Sequence, residues 1–127
     1  MGSSGDHRTN IVLIGMPGAG KSTVGVLLAK ELSMDFVDTD LLIQRGEGER
    51  LQAIIDREGR DHFCRMEERY VLQIERSHHV IATGGSVIYS ERSMQHLAGQ
   101  GPIVYLAVPL DLLRARLTNL ESRGLAR

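Results

Sequence analysis

The chain has 127 residues, 42% apolar and 24% charged, with a formal net charge of -1, which suits one soluble domain around one core. Near-neutral charge gives no general pull toward nucleic acid or an anionic membrane, and no apolar run reaches the length of a membrane span. The lone Cys64 rules out a disulfide framework within the chain and fits a reducing compartment, so a monomeric, cytoplasmic protein acting on small molecules, with no nucleic-acid or membrane partner, is expected.

Residues 1–9 are tag-like, with Gly and Ser and no apolar stretch, and stand outside the fold. Asn10 to Ile14 is an unalternating, mostly β-branched run, as in a strand buried on both faces of a parallel sheet. Gly15 to Gly20 is a glycine-rich loop. Lys21 to Leu32 predicts a helix with Val24, Leu27, Leu28 and Leu32 on one face. Asp35 to Val37 predicts a second strand, ending in Asp38-Thr39-Asp40. Leu41 to Arg45 and Arg50 to Arg57 predict short helices around Gly46 and Gly48, the second stopping at Gly59.

A long helix is predicted over Asp61 to Arg76, with the stripe Phe63, Met66, Tyr70, Val71 and Ile74. Val80 to Ala82 predicts a third strand, closed by Thr83-Gly84-Gly85-Ser86, and His78-His79 reads as a solvated turn before it. Glu91 to Ala98 predicts a helix, Ile103 to Val108 a fourth strand and Leu110 to Leu117 a last helix. Alternating strands and helices imply a three-layer α/β/α fold with a mostly parallel sheet and right-handed crossovers. The core spans residues 10–117, and residues 118–127 read as a mobile loop.

Gly15 to Ser22 reads GMPGAGKS, the full phosphate-binding loop pattern, set between a buried strand and an amphipathic helix. Its glycines let backbone wrap phosphate oxygens, and the helix N-terminus points free N–H groups and positive dipole at the same anion. Gly18, Ala19, Gly20, Lys21, Ser22 and Thr23 are therefore the nucleotide contacts. Lys21 reaches the β- and γ-phosphates, the Ser22 hydroxyl is a magnesium ligand, and Thr23 lies near the α-phosphate. ATP and Mg²⁺ are the implied cofactors.

Asp38 and Asp40 stand two residues apart at the carboxyl end of the second strand, the end that faces the ligand crevice in an open parallel sheet. On an extended segment both carboxylates point the same way. One then holds a magnesium-bound water, and the other binds an acceptor hydroxyl and takes its proton. The alternative is that Asp40 only caps a helix beginning at Leu41.

GMPGAGKSTVG, FVDTD, FCRMEE, TGG and the late ESRGLA together resemble shikimate kinase, a family of the nucleoside-monophosphate-kinase-like P-loop group. The resemblance runs from Asn10 to Ala126. It implies transfer of the ATP γ-phosphate to the 3-hydroxyl of shikimate, with magnesium, in aromatic amino-acid biosynthesis. It further implies that Asp38 lies near magnesium and that Asp40 binds the shikimate hydroxyls and acts as base. It places backbone of Gly84 and Gly85 against substrate, Arg116 against adenine, and the lid residue Arg123 over the phosphates as a catalytic arginine. Gly124 then allows the lid to hinge. The bland alternative for Arg114, Arg116 and Arg123 is a solvated basic helix end.

Three features depart from the family pattern. The arginine that follows the helix phenylalanine and grips the shikimate carboxylate is replaced by Cys64. The third glycine of the turn is Ser86. The chain stops at the lid, before a further substrate arginine, a fifth strand and a last helix. Losing one charged hydrogen bond of about 1.5–3 kcal/mol weakens acceptor binding roughly 10- to 150-fold. Arg65 points about 100° further round the helix, and Cys64 is expected to pack as a small apolar residue. Glu67, amid the apolar stripe, needs a partner: Arg45, the substrate, or water at the stripe's edge. These departures leave open a related kinase with another small hydroxylated acceptor, and a nucleotide-binding module without catalysis.

Overall fold

Short β-branched runs become the strands of a fully parallel sheet. The computed structural model describes residues 10–15 and 20–107. They fold into β1 (Ile11–Gly15), α1 (Lys21–Leu32), β2 (Asp35–Asp38), α2 (Thr39–Glu47), α3 (Leu51–Glu58), α4 (Arg60–Leu72), β3 (His79–Ala82), a 3₁₀ turn (Val87–Tyr89), α5 (Glu91–Ala98) and β4 (Ile103–Leu106). The strand order is β2-β3-β1-β4. Register pairs Val12 with Ile81 and Ile103, and Asp38 with Ala82. All carboxyl ends therefore open on one rim.

The sheet is apolar on both faces because helices cover both. Leu13, Val80 and Phe36 pack with Val24, Leu28 and Ala29 of α1 on one side. Val12, Ile14, Val37 and Ile81 pack with Val71, Ile74, Val87 and Leu97 on the other. This is the expected three-layer arrangement. A separate cluster of Ile43, Ile54, Phe63 and Met66 joins α2, α3 and α4 beside the sheet.

Buried Asn10 stitches the amino ends of the strands together. Its Nδ2 donates to the carbonyls of Arg76 (2.8 Å) and Gln100 (3.0 Å), and its Oδ1 accepts from the His79 N–H at 2.9 Å. At the opposite rim, the buried Thr83 hydroxyl donates to the Leu13 carbonyl at 2.8 Å, tying the end of β3 to β1.

Several elements differ from their sequence expectations. α1 buries Lys21, Gly25 and Ala29, while Leu27 and Leu32 are exposed; the Phe36 ring lies where a Gly25 side chain would stand, which turns the helix onto its small residues. α2 runs from Thr39 through Gly46 to Glu47, since the Tyr70 hydroxyl occupies the space of a side chain at Gly46. α4 ends at Leu72 rather than Arg76. Gln73 caps it, and the chain turns back through His78 at φ 64°. His79 is then the half-buried first residue of β3, not a solvated turn. The 3₁₀ turn was not anticipated. Among the described residues no helix is long and apolar enough to cross a membrane. The tag-like residues 1–9, the end of the fourth strand at Val108, the predicted helix Leu110 to Leu117 and the lid lie outside the described residues.

Candidate active site

The rim of the sheet gathers the charged groups. Gly20 takes φ 81°, ψ 28° immediately before α1, a left-handed conformation that favours glycine. It starts the helix so that Lys21 turns inward, 9% exposed. The Lys21 ammonium donates to the Gly15 carbonyl at 2.8 Å. Burial lowers its pKa, against the opposing pull of Asp40, Asp38 and Glu67.

Asp38, the last residue of β2, is the true N-cap of α2. Its Oδ1 accepts from the N–H of Asp40 at 2.8 Å and of Leu41 at 3.4 Å, and its Oδ2 accepts from the Ser22 hydroxyl. The capping role assigned by the sequence alternative to Asp40 thus belongs to Asp38, because α2 begins at Thr39. Asp40 lies in the first helical turn, so the two carboxylates are not related by strand geometry. They stand near each other across the turn, and burial first, then the neighbouring Asp38, pushes the Asp40 pKa up to about 6.

The oxygen pair Ser22 Oγ and Asp38 Oδ2 fits a magnesium ion by chemistry: both are hard donors, and they already converge. Among the described residues no group of three or more His, Cys, Asp or Glu gathers for a metal.

The far wall comes from α4 and the turn after β3. Glu67 is 3% exposed. Its Oε1 accepts from the Ser86 hydroxyl at 2.6 Å, and its Oε2 is buried without a hydrogen-bond partner. Burial raises its pKa more than Ser86 lowers it, and Asp40 raises it further. Arg45 is not its partner; it lines a cleft of about 200 Å³ with Asp38, Leu41 and Arg76. A Cβ on Gly84 would collide with Glu67 Oε2 and lie 2.8 Å from Asp40 Oδ1. Both carboxylates therefore converge on the bare backbone of Gly84. Gly85 and Ser86, beside it, are half-buried.

Cys64 is exposed rather than packed. It sits about 100° round α4 from Phe63, and Phe63 is the residue that enters the apolar cluster. Arg65 is also exposed. Ser22 and Thr23 are exposed at the start of α1. Gly18, Ala19, Arg114, Arg116 and Arg123 lie outside the described residues. Sequence reasoning missed the Glu67–Ser86 pair as a unit. Its only signal was a glutamate inside an apolar stripe.

A buried lysine, a serine–aspartate pair and an aspartate of raised pKa share one sheet rim. A match to the shikimate kinase family covers residues 17–127. The chain belongs to the shikimate kinase family. It is 42% identical to the shikimate kinase of Pasteurella multocida over 94% of this chain and 69% of that protein. Against the shikimate kinase of Haemophilus influenzae it is 36% identical over 94% of this chain and 67% of the other. Among solved structures, shikimate kinase from Acinetobacter baumannii in complex with shikimate aligns with a TM-score of 0.77 at 33% identity, covering 98% of this chain and 70% of that one. The Aquifex aeolicus shikimate kinase aligns at 0.73 and 31% identity, covering 82% and 62%. The chain thus spans about two thirds of the length of these relatives. The family places it among P-loop nucleotide-binding kinases acting on an alcohol group, and the fully parallel sheet agrees.

Proposed function

We propose that this chain carries out the nucleotide and acceptor chemistry of an ATP-dependent shikimate kinase, moving the γ-phosphoryl group to a shikimate hydroxyl. The observation that carries this reading is the meeting of Lys21, the Ser22–Asp38 pair and Asp40 at one rim, in a chain of this family.

Lys21 exchanges the Gly15 carbonyl for phosphate oxygens and stabilises the charge that develops on them. Burial lowers the pKa of its amine, and the charges of Asp40, Asp38 and Glu67 oppose that shift. Ser22 and Asp38 would hold Mg²⁺, which when bound neutralises phosphate charge. The backbone of Gly18, Ala19 and Gly20, with Thr23, would cradle the phosphates. Asp40 orients the acceptor hydroxyl and accepts its proton, a role suited by a pKa lifted toward neutrality. The backbone of Gly84 and Gly85 is assigned to the acceptor by family resemblance; Gly85 is half-buried, and Gly84 lies beneath Glu67 and Asp40. Arg116 and Arg123 are assigned to adenine and to the phosphates by family resemblance, and Cys64 to the wall where the family has its carboxylate-binding arginine.

The test is a coupled assay of ADP release with ATP, magnesium and shikimate, set against a no-acceptor control and a panel of other alcohols and nucleoside monophosphates. Saturable, shikimate-dependent release is expected. Turnover only with another alcohol would move the chain to a related kinase. Nucleotide binding without acceptor-dependent release would reduce it to a binding module.

A further inference from the structure

The β2 edge of the sheet carries a groove that the chemistry of the rim does not use. β2 is the outer strand on this side, and two clefts of about 200 and 420 Å³ meet beside it at Leu42 and Arg76, which line both. The smaller is walled by β2 and by Leu41, Leu42 and Arg45 of α2. The larger continues along the end of α4, past Tyr70 and Glu75. Arg45 stands in the last turn of α2, about 10 Å along the helix axis from the Asp38 cap.

Three donors border the smaller cleft. Arg45 and Arg76 bring guanidinium groups. The backbone of Arg76 is pinned, its carbonyl accepting from Asn10 Nδ2 at 2.8 Å and its N–H donating to Gln100 Oε1 at 3.4 Å, so its side chain starts from a fixed place. A guanidinium has five N–H donors, and Arg76 can therefore serve a guest as well as its neighbours within the chain. The third donor is the strand itself. The Asp35 N–H donates inward to the His78 carbonyl at 3.0 Å, and alternation along a parallel strand turns the Phe36 N–H to the outer edge. The Phe36 ring lies on the α1 face, so it is backbone that borders the cleft. The Asp38 carboxylate, also at this border, is taken up by Ser22 and two N–H groups at the rim. Beside the donors, Leu41 is 55% exposed and Leu42 half-buried, which leaves an apolar wall uncovered.

We propose that the smaller cleft is a second binding site, for a small carboxylate carried on a flat apolar body. Arg45, Arg76 and the Phe36 N–H take the carboxylate, and Leu41 and Leu42 take the body. A cleft of about 200 Å³ is smaller than the roughly 300–1,000 Å³ of a drug-sized pocket, so the guest is limited to about one ring. Glu75 stands at the larger cleft and directs the anionic end to the smaller one. The site is separate from the rim and does not depend on the reaction performed there.

Benzoate is the probe, with neutral benzamide and cationic benzylamine as matched comparisons. Backbone amide shifts of the full chain are followed by NMR during titration with each. Benzoate is expected to move the amides of Phe36, Leu42 and Arg76 saturably with a Kd of about 1 mM, and the other two to bind at least about tenfold more weakly. Arg45→Gln is expected to weaken benzoate about tenfold, and Arg45→Lys about threefold, because an ammonium lacks the guanidinium fork. Both variants are expected to melt within about 3 °C of the unaltered chain, since Arg45 is exposed. No saturable shift at the groove amides, or benzoate shifts confined to Lys21, Ser22 and Asp40, would overturn the proposal. Benzamide binding as tightly as benzoate would overturn it too, as the behaviour of a strand edge that accepts peptide backbone. An unaltered benzoate Kd in Arg45→Gln, or a large fall in its melting temperature, would leave Arg45 as a charge that only complements the end of α2 and would overturn the proposal as well.

Discussion

The two halves of the rim treat their polar groups in opposite ways. On the nucleotide side three groups have partners within the chain: Lys21 on the Gly15 carbonyl, Ser22 on Asp38, and Asp38 on two N–H groups of α2. On the acceptor side Asp40 is half-buried with a raised pKa, and Glu67 Oε2 is buried without a partner. Each half therefore meets its ligand in its own way. The nucleotide side exchanges internal hydrogen bonds for phosphate and metal at little net change in pairing. The acceptor side carries unmet hydrogen-bonding capacity, so a ligand that supplies donors there gains the full desolvation penalty already incurred.

Breaking the acceptor side at its most reactive group gives the largest effect. Asp40→Asn is expected to lower kcat by about 10²- to 10⁴-fold, the usual contribution of a positioned base, while calorimetric ADP affinity stays within about twofold. Lys21→Met acts on the opposite half and is expected to reduce kcat by about 10²- to 10³-fold, with the acceptor KM little altered. Equal loss of ADP affinity in Asp40→Asn would erase the division between the halves.

Smaller changes sharpen the division. Gly84→Ala places a methyl against Glu67 Oε2 and Asp40 Oδ1. Overpacking of this kind costs about 1–3 kcal/mol, so the acceptor KM is expected to rise roughly 5- to 150-fold with the ATP KM unaffected. Cys64→Arg adds a guanidinium at an exposed position of α4, where the family resemblance implies one. It is expected to lower the KM for shikimate about tenfold and to leave that for the methyl ester of shikimate unchanged. Equal gains with acid and ester would mean that the new arginine acts on something other than the carboxylate.

Much of the fold and half of the site were legible because they depend on local pattern. The strand in the NIVLI run and the helix that starts at Lys21 follow from residue type and spacing alone, and the structure keeps both. What escaped depends on contacts distant in sequence. Asp38-Thr39-Asp40 offers two equivalent helix caps, and only the partnership of Asp38 with Ser22, 16 residues earlier, settles which one acts. The inward face of α1 is chosen by the Phe36 ring on Gly25, against a leucine stripe that pointed elsewhere. Glu67 was visible as a misplaced charge. Its bond to Ser86, 19 residues later, had no periodic signature.

The mildest prediction probes that same bond through pH. Burial lifts the Glu67 pKa above its model-peptide value of 4.5, and the Ser86 hydroxyl, by bonding the charged form, holds it partly down; Asp40 from α2 raises it and Lys21 from α1 lowers it. A carboxyl whose folded pKa is raised binds its proton more tightly in the native state. Its contribution is therefore most favourable below about pH 4.5 and is lost as pH rises through the folded value. Ser86→Ala removes the group that eases ionisation and raises the folded pKa further. The cost of the substitution is then expected to be small at pH 4 and to grow to about 1–2 kcal/mol at pH 8, somewhat below a fully buried charged hydrogen bond because Ser86 is half-buried. Urea unfolding at the two pH values measures it. In the Glu67→Leu background the pH dependence of the Ser86→Ala cost should vanish, since no titrating partner remains. A cost that persists unchanged there would show that Ser86 supports the turn after β3 by some route other than Glu67.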